Sequence, residues 1–127
     1  MGKIWLVWGC FFGFLSVALG AFAAHGLKTV FDDYQMSLIA TANQYLTYHA
    51  FALLTLGLWN HWEKWSATLF AGLSFILGIL LFSGSLYAYA FFGFPWLVAI
   101  TPMGGVFFLI AWFLFAVAIV RAKNDII

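Results

Sequence analysis

Charge is what this chain of 127 residues has least of: Asp, Glu, Lys and Arg together make up 7% of it, against roughly 25% in a soluble domain. Hydrophobic residues reach 66% and the mean hydropathy is +1.06. That balance excludes an ordinary water-soluble fold and points to an integral membrane protein of one domain, residues 1–127. The net charge is +1, and Lys3, Lys28, Lys64, Arg121 and Lys123 are scattered along the chain. No basic patch can be assembled from them, which excludes nucleic acid as a partner. The single cysteine, Cys10, lies inside an apolar run. It supports neither a disulfide framework nor metal-finger spacing, and it reads as a small buried hydrophobe. No internal repeat relates the two halves.

What is present is a set of apolar runs long enough to cross a bilayer: residues 4–25, 38–59, 67–92 and 102–121. The fold class expected is therefore all-α, an integral membrane four-helix bundle. The first run ends in Ala21-Phe22-Ala23, which mimics a signal-peptidase site. Its length of about 20 residues exceeds the 7 to 15 of a signal peptide, so a retained helix is expected. Along it Gly9, Gly13, Ser16, Gly20 and Ala24 recur at helical spacing, a small-residue stripe that lets another helix approach closely. Gly9, Gly13, Ser16 and Gly20 are accordingly the surface through which a homo-oligomer could form.

Gly26 reads as a helix stop. From Leu27 to Leu38, apolar residues at i, i+3, i+4 and i+7 oppose Lys28, Asp32, Gln35 and Ser37. The pattern fits a short amphipathic interfacial helix between the first and second spans, or equally the solvated start of the second. Trp59 to Trp65 is a polar turn with three tryptophans, marking one membrane surface together with Trp5 and Trp8. The fourth helix starts either at Thr101-Pro102, with threonine as cap and proline in the first turn, or at Trp96 with a kink at Pro102. Four spans put both termini on one side. Lys3, Lys64, Arg121 and Lys123 share that side, so the positive-inside rule places both termini in the cytoplasm.

The second span is too polar to face lipid all round. It carries Thr41, Asn43, Gln44, Tyr45, Thr47, Tyr48 and His49, and an unpaired polar group in hydrocarbon costs a few kcal/mol. With the outer surface near Ala24, Ala40, Ala88 and Thr101, a rise of about 1.5 Å per residue puts Asn43 to Tyr45 and Ser83 to Ser85 at similar shallow depth. His49 lies deepest, about 13 Å in, while His25, Lys28, Tyr87 and Thr101 ring the mouth. The inner half is almost purely apolar. The residues expected to line an outward-facing polar pocket are His25, Gln44, Tyr45, Tyr48, His49, Ser83, Ser85, Tyr87 and Thr101, with Ser83 and Tyr87 facing the tyrosine and histidine of the second span. The bland alternative is that these groups merely hydrogen-bond between helices, with His49 held neutral by a tyrosine and a backbone carbonyl.

Catalysis finds little support. No nucleophile-elbow sequence surrounds Ser83 or Ser85, and no acid accompanies His49 within the spans. No metal ligand set and no cofactor is indicated, since His25 and His49 differ in depth by more than about 10 Å. Asp32 and Asp33, next to His25, lack a rigid frame. The chain is thus expected to be non-enzymatic, binding membrane lipid, a small amphiphile or a partner protein. The alternatives are an oligomeric transporter or channel, or a redox or enzyme accessory using His49.

Four segments carry a family resemblance: Leu19 to Lys28 (LGAFAAHGLK), Thr41 to Tyr45 with Tyr48-His49-Ala50, Leu81 to Tyr87 (LFSGSLY), and Thr101-Pro102-Met103-Gly104-Gly105 with Trp112. In this order the chain resembles the YgdD/YwdK-like family, small bacterial inner-membrane proteins defined as a domain of unknown function. Ala23 departs from the glycine expected at its position. The resemblance implies a four-helix protein of the bacterial inner membrane, and it makes none of the polar residues catalytic.

Overall fold

The computed structural model describes residues 1–62 and 66–122. It consists of four helical rods, here α1 (Gly2–Leu27), α2 (Asp33–Trp62), α3 (Ser66–Phe92) and α4 (Leu97–Arg121). Among the described residues there are no strands. α1, α3 and α4 are each long and apolar enough to cross a membrane. At 30 residues, α2 is about 45 Å long and also has the reach, but its run of amides, hydroxyls and imidazole makes it less apolar than the other three. The tryptophan-rich turn extends over Glu63, Lys64 and Trp65, which lie outside the described residues, as does Lys123.

Two sequence expectations about helix ends are corrected. Gly26 does not stop α1: the rod runs through it in a π-helical turn, Ala23–Leu27. The separate interfacial helix between the first and second spans is not formed. After Leu27 the chain makes turns in which the amides of Val30 and Phe31 bond to the Leu27 carbonyl, and helix resumes at Asp33 as the start of α2. The restart has a clear cause. The Asp32 carboxylate accepts from the Gln35 amide at 2.7 Å while the Gln35 side-chain oxygen accepts from the Asp32 amide at 3.1 Å, a reciprocal capping box. Of the two starts open for the fourth helix, α4 takes the earlier one: it begins at Leu97 with Trp96 as its cap residue, so Pro102 lies inside the helix and Thr101 is not a cap.

Between α3 and α4 the chain reverses at Gly93, whose φ of 69° is left-handed, a conformation glycine adopts without steric cost. Phe92, Phe94 and Trp96 stack in series around this turn, with centroids 6.1 and 6.3 Å apart. All three are exposed, as suits aromatic side chains at a membrane–water boundary.

α1 packs along α2, α2 along the upper part of α3, and α3 along α4. Part of the small-residue stripe of α1 is used within the chain: a Cβ on Gly9 would meet Leu54 at 2.7 Å, one on Gly20 would meet the Asn43 amide at 3.1 Å, and Ser16 is buried, whereas one on Gly13 would meet nothing within 4 Å. Cys10, by contrast, is exposed rather than buried. α2 turns Ile39, Ala42, Leu46, His49, Leu53, Leu56 and Asn60 inward, a stripe at spacings of three and four. The main core joins Leu46, Leu53 and Leu56 of this stripe to Trp5 and Phe12 of α1, Ala71, Phe75 and Ile79 of α3, and Phe108, Ala111 and Phe115 of α4, while Ile39 packs with Ala23, Leu27 and Ala90. Trp5 lies on Gly72 of α3, where a Cβ would come within 2.5 Å of its indole.

α3 and α4 approach each other closely at Gly104. A Cβ on Gly104 would collide with the backbone nitrogen of Phe82, whereas one on Gly105 would meet nothing nearer than a Phe82 ring carbon at 3.9 Å. Gly104→Val is therefore expected to lower stability by about 1–3 kcal/mol through overpacking. Gly105→Ala should stay within about 0.5 kcal/mol of the parent. Reversible unfolding in mixed micelles measures both, and equal effects at the two positions would show that α3 and α4 do not cross at Gly104.

Candidate functional site

The backbones of α2 and α4 stay apart, and side chains fill part of the gap. The result is an open groove of about 800 Å³ lined by Tyr45, Tyr48, His49 and Phe51 of α2, Phe82 of α3, and Pro102, Gly105, Val106, Phe108, Leu109 and Trp112 of α4. Its floor is His49, only 4% exposed. The imidazole lies flat on the Phe108 ring, centroids 3.5 Å apart and planes 6° from parallel. Tyr45 lies beside this pair, 6.0 Å from the His49 ring and 6.2 Å from the Phe108 ring, and is tilted against Phe82 at 4.5 Å. Phe75 meets Trp112 edge-on at 5.2 Å.

Two hydrogen bonds fix the His49 ring. Nδ1 lies 2.6 Å from the carbonyl oxygen of Tyr45, and Trp112 Nε1–H donates to Nε2 at 3.1 Å. A carbonyl only accepts and an indole N–H only donates, so both bonds are satisfied by the neutral ring with its proton on Nδ1. Both nitrogens are then engaged, and the ring joins α2 to α4 rather than offering a lone pair. Among the described residues no three His, Cys, Asp or Glu side chains converge as metal ligands.

The nine residues expected to share one pocket separate into several groups. Tyr45, Tyr48 and His49 line the groove. Gln44 stands on the outer face of α2, where its amide donates to the Tyr48 hydroxyl at 2.7 Å. Ser83 is buried and donates to the Ala42 carbonyl at 2.8 Å, and Tyr87 donates to the Asn43 side-chain oxygen at 2.9 Å. Both thus face α2, but at Ala42 and Asn43 and not at the tyrosine and histidine. The Ser85 and Thr101 hydroxyls are hydrogen-bonded at 2.6 Å, linking α3 to α4. His25 is exposed at the far end of α1, in the π turn. Interhelical bonding therefore accounts for Ser83, Ser85, Tyr87 and Thr101.

The opposite end is not purely apolar. Asn60, 2% exposed, donates to Thr68 at 2.7 Å and ties α2 to the start of α3. Sequence reasoning also missed the groove wall of α4: Phe108 and Trp112 stand four residues apart on one helical face, beside Gly105. A tryptophan at mid-span, away from the interfacial belts where it is enriched, was the available signal.

A family profile described as a protein of unknown function, DUF423, matches residues 19–105, more than half of the chain and all but Trp112 of the motif residues. The chain belongs to the DUF423 family. Relatives of this DUF423 chain include a UPF0382 membrane protein of Haemophilus influenzae, 44% identical over 112 residues, 88% of this chain and 90% of that one. The UPF0382 membrane protein YwdK of Bacillus subtilis is 38% identical over 94% of this chain and 98% of its own length. The UPF0382 inner membrane protein YgdD of Escherichia coli is 36% identical over 96% and 93%. No solved structure matches. The resemblance to YgdD and YwdK is thus established, and DUF423 membership agrees with a helical membrane protein whose biochemistry its family does not specify.

The His49–Trp112 bond is testable by a double-mutant cycle of His49→Phe and Trp112→Phe, followed by unfolding in micelles. The coupling energy expected is about 0.6–1.7 kcal/mol, the range of interhelical hydrogen bonds in bilayer proteins. Additive single effects would mean that the two rings only pack.

Proposed function

We propose that this chain is a multi-pass protein of the bacterial inner membrane that binds a membrane amphiphile in the groove between α2 and α4, without transforming it. The inner-membrane location follows that of the E. coli relative, named as an inner membrane protein. Both termini are placed in the cytoplasm: Lys3 and Arg121 stand at the end that carries them, while Lys28 stands beside Asp32 and Asp33 at the other. On that orientation the groove lies in the outer half and middle of the membrane.

One observation carries the binding role. The bundle leaves about 800 Å³ open on its flank, within the range of small-molecule sites, at the place where the α2 row of Tyr45, Tyr48 and His49 reaches the surface. Its mouth is formed by Tyr48, Phe51, Val106 and Leu109, all exposed mid-helix positions. The opening therefore faces the acyl chains sideways instead of the aqueous phase. A ligand dissolved in the bilayer could enter without crossing a headgroup layer. With both His49 nitrogens bonded inside the chain, the site holds and orients; it has no free base to move a proton.

Val106→Trp tests this reading. Val106 is exposed at the mouth, so the larger ring fills the groove without entering the core. Native mass spectrometry of protein extracted with its own lipid is expected to show a bound amphiphile on the parent and its loss from Val106→Trp, with helicity and melting unchanged. Identical spectra for the two proteins would remove the groove as a binding site.

A further inference from the structure

The geometry points to a particular occupant for the groove: an uncharged quinone-type ring with an isoprenoid tail, held through its carbonyl oxygens by the phenol hydroxyls of Tyr45 and Tyr48. This inference rests on the amphiphile-binding reading above and narrows it to one chemical class.

Charge is the first discriminator. No Lys, Arg, Asp or Glu lines the groove. A phosphate or ammonium headgroup drawn into it would find no counter-charge, and an unpaired ion in such surroundings is strongly disfavoured. The ligand is therefore neutral.

Hydrogen-bond capacity is the second. His49 has both nitrogens engaged and Trp112 has donated its only proton. Tyr48 already accepts from the Gln44 amide at 2.7 Å, so its own proton points elsewhere, and the bond it accepts polarises it as a donor. The Tyr45 hydroxyl has no hydrogen-bond partner among the described residues. Tyr45 and Tyr48, three positions apart, both line the groove, and each keeps an O–H proton for which the described residues supply no acceptor, so what they ask of a ligand is acceptor oxygens.

Wall chemistry is the third. Tyr45, Phe82, Phe108 and Trp112 present aromatic rings to the groove, and a flat conjugated ring gains from offset or edge contacts with them that a saturated acyl ester does not. The flank opening between Phe51, Val106 and Leu109 then lets a long hydrocarbon tail remain among the lipids. No electron transfer is part of the inference, only binding.

The experiment uses the full chain in phosphatidylcholine nanodiscs, titrated with a short-tailed ubiquinone, with diacylglycerol and with phosphatidylglycerol. Bound ligand is read by native mass spectrometry, and quinone contact by quenching of tryptophan fluorescence. Saturable quinone binding is expected, with phosphatidylglycerol failing to compete. Trp112→Phe should remove the largest part of the quench, and Val106→Trp should abolish binding. The double variant Tyr45→Phe/Tyr48→Phe should weaken affinity about tenfold, as for loss of hydrogen bonds worth about 1.4 kcal/mol. Diacylglycerol binding that Val106→Trp blocks, with no quinone binding, would overturn the quinone assignment and leave the groove standing as an amphiphile site. Absence of every ligand would overturn both. Quinone binding indifferent to the tyrosine and Val106 variants would place the molecule elsewhere and overturn the assignment.

Discussion

Hydrocarbon offers a polar group nothing to bond to, and that constraint shapes this bundle more than any other. Its effect is concentrated on α2. Asn43 is met by Tyr87, His49 by Trp112 and by its own helix, Asn60 by Thr68. Thr47 and Thr55 turn back onto carbonyls four residues earlier. Each bond that leaves α2 also fixes where a neighbour stands, so the polar helix acts as the template and the apolar ones as its wrapping. In lipid, apolar surfaces have little reason to prefer one another over the acyl chains, and hydrogen bonds with close packing decide helix placement.

Close packing supplies the rest. Gly104 admits the Phe82 backbone, Gly78 admits the Phe108 ring, and Gly72 admits Trp5. The first two contacts bring α3 firmly against α4, the third seats α1 on α3, and α2 is left at a distance from α4. The groove is the geometric remainder of that choice: the bundle closes tightly on one side of α3 and is bridged only by aromatic side chains on the other. His49 on Phe108, with planes 6° apart, is the narrowest point of the bridge.

How much of this could be read from the amino acids depended on range. Helical rods followed from apolar runs, since hydropathy is a property of consecutive residues. The turn at Gly93 and the interfacial aromatics around it are local in the same sense. The Asp32–Gln35 capping box was also written in the chain, as an acid three residues before an amide, but the amphipathic pattern from Leu27 to Leu38 masked it and suggested a separate helix. Pro102 admitted two readings because a proline is tolerated near a helix start whether or not an extra turn precedes it; the bond from Thr101 to Ser85 binds that added turn to α3. The candidate site was only partly legible. Tyr45, Tyr48 and His49 share a face by spacing alone, which the sequence states. The diversion of Ser83 to the Ala42 carbonyl could not be foreseen, because backbone acceptors are everywhere and only the distance between rods selects one. Trp112 joined His49 for the same reason, across a separation that no local pattern encodes.

The π-helical turn at Ile79–Ser83 inserts one residue more than an α-helix needs, and it divides α3 into two lengths of different rotational phase. Below it, Gly78 presents a flat seat to Phe108; above it, Tyr87 is aimed at Asn43. Because five residues of a π turn cover about the rotation that four cover in an α-helix, straightening this turn with all its residues kept would rotate everything from Gly84 to Phe92 by about 90°, carrying Tyr87 off its partner while the lower half stayed seated. The two ends of one rod are in this way keyed independently, like two cogs on a shaft with an adjustable coupling between them.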